Sequence, residues 1–192
     1  MPSPTQPHPG RAQRLREATR DVHAALDAAL MARESFASRE GYASFLAMQL
    51  GFHRTVAPLY GDAALQAVLP GLADRCRLPL VLQDMADLGL DAPSPPLPAP
   101  PQPTLGAALG WLYVAEGSNL GAAVLRKLVM RIGLSDTFGA RHLAPWGDGP
   151  AAHWRDFTDA LDAVPLDAGQ EAEAIAGARQ AFAHVARLAR ID

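Results

Sequence analysis

The sequence predicts an all-α protein, on three observations. Alanine and leucine, which head the helix-propensity ranking, number 38 and 26 of the 192 residues, against 18 for Val, Ile and Thr together. No segment alternates polar and apolar residues with period two, while several long segments repeat apolar residues at helical spacing. The 17 prolines concentrate in a tail and one connection, leaving the long periodic segments nearly free of them.

The elements follow in order. Residues 1–10 are proline-rich and expected to be a disordered tail. Residues 11–192 are expected to form one helical domain. A first helix is predicted over 11–32, with Leu15, Thr19, Val22, Leu26 and Leu30 on one stripe. A second, over 38–60, turns Phe45, Met48, Phe52 and Val56 inward, with Pro58 bending its end. A short helix over 62–68 precedes a longer one over 71–90. Residues 93–103 hold seven prolines and are predicted to be an extended surface linker. A long helix over 104–131 follows. Residues 133–149 are glycine-rich and irregular, and 150–163 are helical again. Pro165 ends that helix, and Asp167 with Gln170 has the spacing of an N-terminal capping box for a final helix reaching Arg190.

Composition excludes several functions. A net charge of -3 argues against a duplex nucleic-acid binder. The single cysteine, Cys76, rules out an internal disulfide framework or a cysteine metal cluster. The longest apolar run, residues 105–115, is too short to span a bilayer, and the first residues lack an apolar signal region. No Glu-x-x-His pair supports a di-iron bundle. The expectation is a reduced, cytoplasmic protein without membrane or nucleic-acid partners.

Three groups of residues carry chemistry. On the first helix, Arg16, His23 and Asp27 form a ridge beside the apolar stripe, with Asp27 one turn from His23. By spacing alone it reads as a surface pair or as an oriented imidazole. On the second helix, Gln49 and His53 lie four apart among inward aromatics, as a satisfied core pair or as the lining of a polar cavity. On the long helix, Gly106, Gly110, Gly117 and Gly121 fall within one narrow arc beside Tyr113. Four helical glycines cost about 4 kcal/mol relative to alanine, so something needs the missing side chains. A close helix crossing and a flat ligand against the backbone are both open, and Gly117-Ser118 is a place where the helix can kink.

The run from Gly110 through Trp, Leu, Tyr, Val, Ala, Glu, Gly, Ser, Asn, Leu and Gly to Ala122 and Ala123 resembles the distal helix of bacterial heme oxygenases. The opening Leu15-Arg-Glu-Ala-Thr-Arg-Asp-Val-His23 resembles their proximal helix. Gly139-Ala-Arg-His-Leu-Ala-Pro and His153-Trp-Arg-Asp-Phe157 are similar to the branch that extracts iron from heme, and the likeness spans 15–189 in order. It implies a helical bundle with heme sandwiched between a proximal helix and a kinked distal one. It also implies a monomeric enzyme that converts heme b, its substrate and cofactor, to biliverdin, ferrous iron and CO, using O2. Electrons would come from an external ferredoxin or flavodoxin-like reductase system, since the chain carries no flavin or nucleotide fingerprint. By the same likeness His23 is the axial ligand of the heme iron and Asp27 its neighbour. Gly117 and Gly121 are the glycines against heme, with Ser118 between them. Arg16 and Tyr113 hold the propionates and favour the α isomer, and Gln49, His53, Arg141, His142 and Trp154 surround a distal water network.

Two rivals remain at this stage. One is a heme carrier or sensor without turnover. The other is a hydrolase of thiaminase type, which His23 argues against. The proline-rich linker is unusual for the family, and the short C-terminus leaves any tail-dependent product release open. His8, His184 and Cys76 are expected to take no part.

Overall fold

The computed structural model describes residues 9–92 and 103–191. Residues 1–8 of the predicted 1–10 tail and 93–102 of the predicted 93–103 linker therefore lie outside the described residues. Seven α-helices are found among them: α1 (Arg11–Ala32), α2 (Arg39–Tyr60), α3 (Ala63–Val68), α4 (Leu78–Asp87), α5 (Leu105–Met130), α6 (Pro150–Ala163) and α7 (Ala168–Ala189). Short 3-10 turns occupy Leu72–Arg75 and Arg141–Leu143. An isolated bridge, with Ser135 opposite Phe138 and Gly139, takes the place of any strand among the described residues.

The helix starts are those their side chains dictate. Ser38, Asp62, Thr104 and Asp167 each accept a hydrogen bond from a backbone N–H of the first turn. The predicted capping box is formed in both directions, with Gln170 accepting from the Asp167 N–H. Pro150 opens α6, where its missing N–H costs nothing.

Helices α5 and α7 form the spine. A Cβ placed on Gly106 would lie 2.3 Å from the Gln170 carbonyl oxygen, and one on Gly110 would lie 2.1 Å from that of Ala174. From the other side, a Cβ on Gly177 would meet the Ala107 carbonyl oxygen at 2.3 Å. Ala174, Ala178 and Ala181 are fully buried along the same face of α7. The helices touch backbone to backbone, which only small residues permit. Around this spine, Leu15 of α1, Leu46 and Val56 of α2, Leu109 and Leu112 of α5 and Leu161 of α6 close the core. Arg11, itself buried, donates to the carbonyls of Leu161 and Val164 and pairs with Glu171, tying the start of α1 to α6 and α7.

Two expectations need correction. The single helix over 71–90 is in fact the 3-10 turn at Leu72–Arg75 followed by α4. Arg75 and Arg77 are both buried, and two residues apart on one α-helix they would point to opposite sides. Breaking the helix at Cys76, with Pro79 in the first turn of α4, lets both guanidinium groups turn inward. Val22, expected on the buried stripe, is 44 % exposed. The second half of α1 buries only Leu26 fully, because α7 covers one edge of the helix and α5 leaves its other face uncovered. No helix of the described residues is long and apolar enough to cross a membrane.

The two pairs of glycines predict opposite stability effects. Gly110→Ala drives a methyl into the α7 backbone and should cost about 1–3 kcal/mol or more. Gly121→Ala, with nothing within 4 Å of the added Cβ, should be neutral or stabilising by up to about 1 kcal/mol. Urea unfolding of the two variants separates them.

Candidate functional site

The glycine arc of α5 divides in two. Gly106 and Gly110 serve the crossing with α7. Gly117 and Gly121 do not: a Cβ on Gly117 would meet only the Trp154 ring, at 3.5 Å, and one on Gly121 would meet nothing within 4 Å. Close packing against α7 therefore explains the first pair, and the second pair is not used by that crossing. The second pair lies on an exposed apolar surface with Leu120 and Val124, the latter 61 % exposed. Ser118 is exposed, and its hydroxyl donates to the Ala115 carbonyl at 2.7 Å, a local bond of the kind that bends helices.

This face of α5 turns toward α1. Tyr113, one turn before Gly117, is close enough to Arg16 for the cation to act on its phenol: burial raises the Tyr113 pKa, and Arg16 opposes the rise. His23 stands on the uncovered face of α1, 59 % exposed, with its ring 5.3 Å from that of Phe182 on α7. Its Nε2 lies 3.3 Å from Asp27 Oδ2. The pair predicted from spacing is formed, but Asp27 takes the very nitrogen expected to ligate iron. An exposed ion pair of this kind is weak, so the ring is free to turn off Asp27. Helices α1 and α5 both pack on α7; α1 carries His23 beside Phe182, and α5 carries Tyr113, Gly117 and Gly121.

Behind α5 lies a buried polar layer. Asp84, fully buried, accepts from the backbone N–H groups of Arg141 and His142 at 2.8 and 3.0 Å, and sits 2.8 Å from His142 Nδ1. Burial works against its ionisation, but the His142 and Arg141 hydrogen bonds outweigh this and hold its carboxyl below the usual range. Asp84 thereby holds the ring of His142 through Nδ1. Arg141 also pairs with Asp87. His53 is buried, and desolvation, with lesser contributions from His142 and Arg77, lowers its pKa to about 3, so it is neutral. Arg77 donates to the carbonyls of His142 and Ala144 at 2.7 and 2.8 Å and lies 4.9 Å from the centre of the Trp146 ring. Four buried polar atoms here have no partner among the described residues: His53 Nδ1, Arg77 Nε, His142 Nε2 and Trp146 Nε1. Two N–H donors and two imidazole nitrogens suit ordered water.

Of the residues expected together, His53 and His142 share this layer. Arg141 stands at its edge on two carboxylates, and Gln49 is half-buried one turn before His53. Trp154 is placed elsewhere, against Gly117 and with its ring 5.5 Å from that of Tyr113. Sequence reasoning missed Arg77, Asp84, Trp146, Glu116 and Phe182. Arg77 had a signal, since two arginines flanking Cys76 within an otherwise apolar stretch need buried partners. Glu116 had another, as the single carboxylate in a helix of apolar and small residues.

A helical protein with an exposed histidine on α1, a glycine surface on α5 and a polar layer behind α5 is what these observations define. Residues 99–190 match the family model described as heme oxygenase. The heme oxygenase PigA of Pseudomonas aeruginosa is 41% identical over 178 residues, covering 90% of this chain and 87% of that protein. A heme oxygenase of Xanthomonas campestris pv. campestris is 37% identical over 57% of this chain and 65% of its own length. Among solved structures, the NO- and CO-bound heme oxygenase of Neisseria meningitidis superposes with a TM-score of 0.91 at 42% identity, covering 95% of this chain and 92% of that one. A heme oxygenase of Leptospira interrogans shares the fold, with a TM-score of 0.74 at 16% identity. The chain belongs to the heme oxygenase family, and it is an enzyme of that family.

The buried His53 predicts a pH dependence of stability. Its folded pKa of about 3 lies below the ordinary 6.5, so on acidification the unfolded chain takes up the proton first. Stability should fall as pH drops from about 6.5 toward about 3, with His53 contributing up to about 1.4 kcal/mol per pH unit. Denaturant titrations at several pH values should show that contribution absent from His53→Gln.

Proposed function

We propose that this chain binds heme b in the slot between α1 and α5 and opens it to α-biliverdin, with release of ferrous iron and CO. The observation that carries this reading is the exposed Gly117–Gly121 surface of α5, which accepts a flat ring where any larger side chain would exclude one. The residues present fit the group. His23 offers an imidazole from the uncovered face of α1, and Asp27 beside it keeps that imidazole basic once the ring has turned. Arg16 and Tyr113 supply a cation and a hydroxyl donor on the two flanking helices, suited to anionic propionates. Phe182 gives the ring edge an apolar neighbour.

When bound, heme supplies the iron and the ring carbon on which the reaction with O2 takes place. The protein positions the ring and arranges water. No acidic side chain stands at Gly117 or Gly121, so polarity on the α5 side comes from backbone and from water held by His53, Arg77, His142 and Trp146. Gln49 and Arg141 border that region, and Trp154 stands against Gly117. Residues 11–192 act as one functional unit, as a monomer in the cytoplasm, with electrons from a ferredoxin or flavodoxin-like donor. Of the two rivals, a carrier or sensor would bind heme and leave it intact.

Heme titration followed by reductant in air tests the reading. Wild-type protein should bind about one heme and replace its Soret band with biliverdin absorption; an intact Soret band would leave a carrier. His23→Ala should lose the histidine-ligated ferric and CO spectra, and unchanged spectra would place the ligand elsewhere. Gly121→Leu should block binding while the helix content stays normal. Chromatography of the product should give mainly the α isomer, with other isomers rising in Arg16→Ala/Tyr113→Phe. Mostly β or δ product from the wild type would mean a rotated ring.

A further inference from the structure

Glu116 immediately precedes Gly117, is 1 % exposed, and takes no part in the slot itself. Its carboxylate is met from three other elements, the third being α6, where His153 Nε2 lies 3.3 Å from Oε2. Tyr60 at the end of α2 donates to Oε1 at 2.8 Å, and Arg75 of the 3-10 turn donates from Nη1 to Oε2 at 2.8 Å. Burial first, and the Glu116 charge next, push the Tyr60 pKa well up, so the phenol remains a donor. Arg75 reaches on to α6: Nη1 lies 2.9 Å from His153 Nε2, and Nη2 donates to the His153 carbonyl at 3.1 Å. With Arg75 as donor, Nε2 is the acceptor, and the face of the imidazole stacks on Trp146 at 4.5 Å. The next residue, Trp154, is the one that stands against Gly117.

These contacts form a closed circuit. It leaves α5 at Glu116, passes through Arg75 and His153, and returns through Trp154 to Gly117. A buried carboxylate facing a buried guanidinium is a demanding arrangement, retained at a cost unless geometry depends on it. We propose that Glu116 and Arg75 are positioning residues for the slot. Together they hold Trp154 against Gly117 and so set where the edge of a flat ligand lies on α5. The link to ligand binding rests on the function proposed above; the link to Trp154 does not.

The test uses the full chain labelled with 5-fluorotryptophan. Its three resonances, from Trp111, Trp146 and Trp154, are assigned by single Trp→Phe variants. Glu116→Gln keeps the acceptor for Tyr60 but removes the charge facing Arg75. Arg75→Lys keeps the charge but cannot reach Glu116 and both atoms of His153, and it stands in should Glu116→Gln fail to fold. The expected result is a folded protein with a lowered melting temperature. The Trp154 resonance shifts or broadens, while that of Trp111, packed against Phe52 and His184, stays in place. Heme affinity falls several-fold, and the ratio of biliverdin isomers changes. A Trp154 resonance at its wild-type position in both variants would overturn the proposal. So would a displaced Trp154 with wild-type affinity and isomer ratio, since the pair would then serve stability alone. Failure of the wild type to bind heme would instead overturn the proposed function, and the Trp154 resonance would still decide whether Glu116 places that ring.

Discussion

The contact between α5 and α7 is the constraint on which the rest depends. Gly106, Gly110 and Gly177 let two helix backbones meet where a single methyl on any of them would strike a carbonyl oxygen. Interiors packed this closely transmit strain and have few alternative arrangements. The crossing therefore sets the direction in which α5 travels past it. Past the crossing, Gly117 meets only the Trp154 ring of α6, and Gly121 has nothing within 4 Å of an added Cβ. α1 also packs on α7, so the relation of α1 to α5 is inherited from one shared helix.

The second organising feature is the polar layer behind α5. Ionisable groups are rarely this deeply buried unless paired. Here Glu116 answers Arg75, and Asp84 answers His142 and Arg141. The pairs join α5 to the 3-10 turn at Leu72–Arg75, and α4 to the loop before α6. Charge pairing carries direction that apolar packing lacks, and it leaves specific atoms, such as His142 Nε2, facing a fixed way without a partner among the described residues.

Much of this was legible in the sequence. Some helix boundaries followed from a cap or a proline, because a cap is a contact between residues three apart and needs no tertiary partner: Asp167 with Gln170 forms the predicted capping box, and Pro150 begins the helix predicted from 150. The His23–Asp27 pair and the Tyr113–Gly117–Gly121 face are likewise one-helix properties, set by 3.6 residues per turn. The family was legible because several local motifs occurred in order.

What a helical wheel cannot show is what lies opposite. Four glycines in one arc look alike in sequence, yet α7 makes packing residues of Gly106 and Gly110 and not of Gly117 and Gly121. The break at Cys76 was invisible because its cause is the burial of Arg75 and Arg77 against Glu116, His142 and Ala144, residues 41 to 67 positions away. Val22 was assigned to the core by its periodicity and is exposed. The sequence by itself determined the helices, their ends and the chemistry each face carries, since those are interactions within a few residues. Only the tertiary structure decided which faces meet, and so which glycines, arginines and histidines pack or pair within the fold and which stay uncovered, because that choice depends on partners brought together by the packing of α5 on α7.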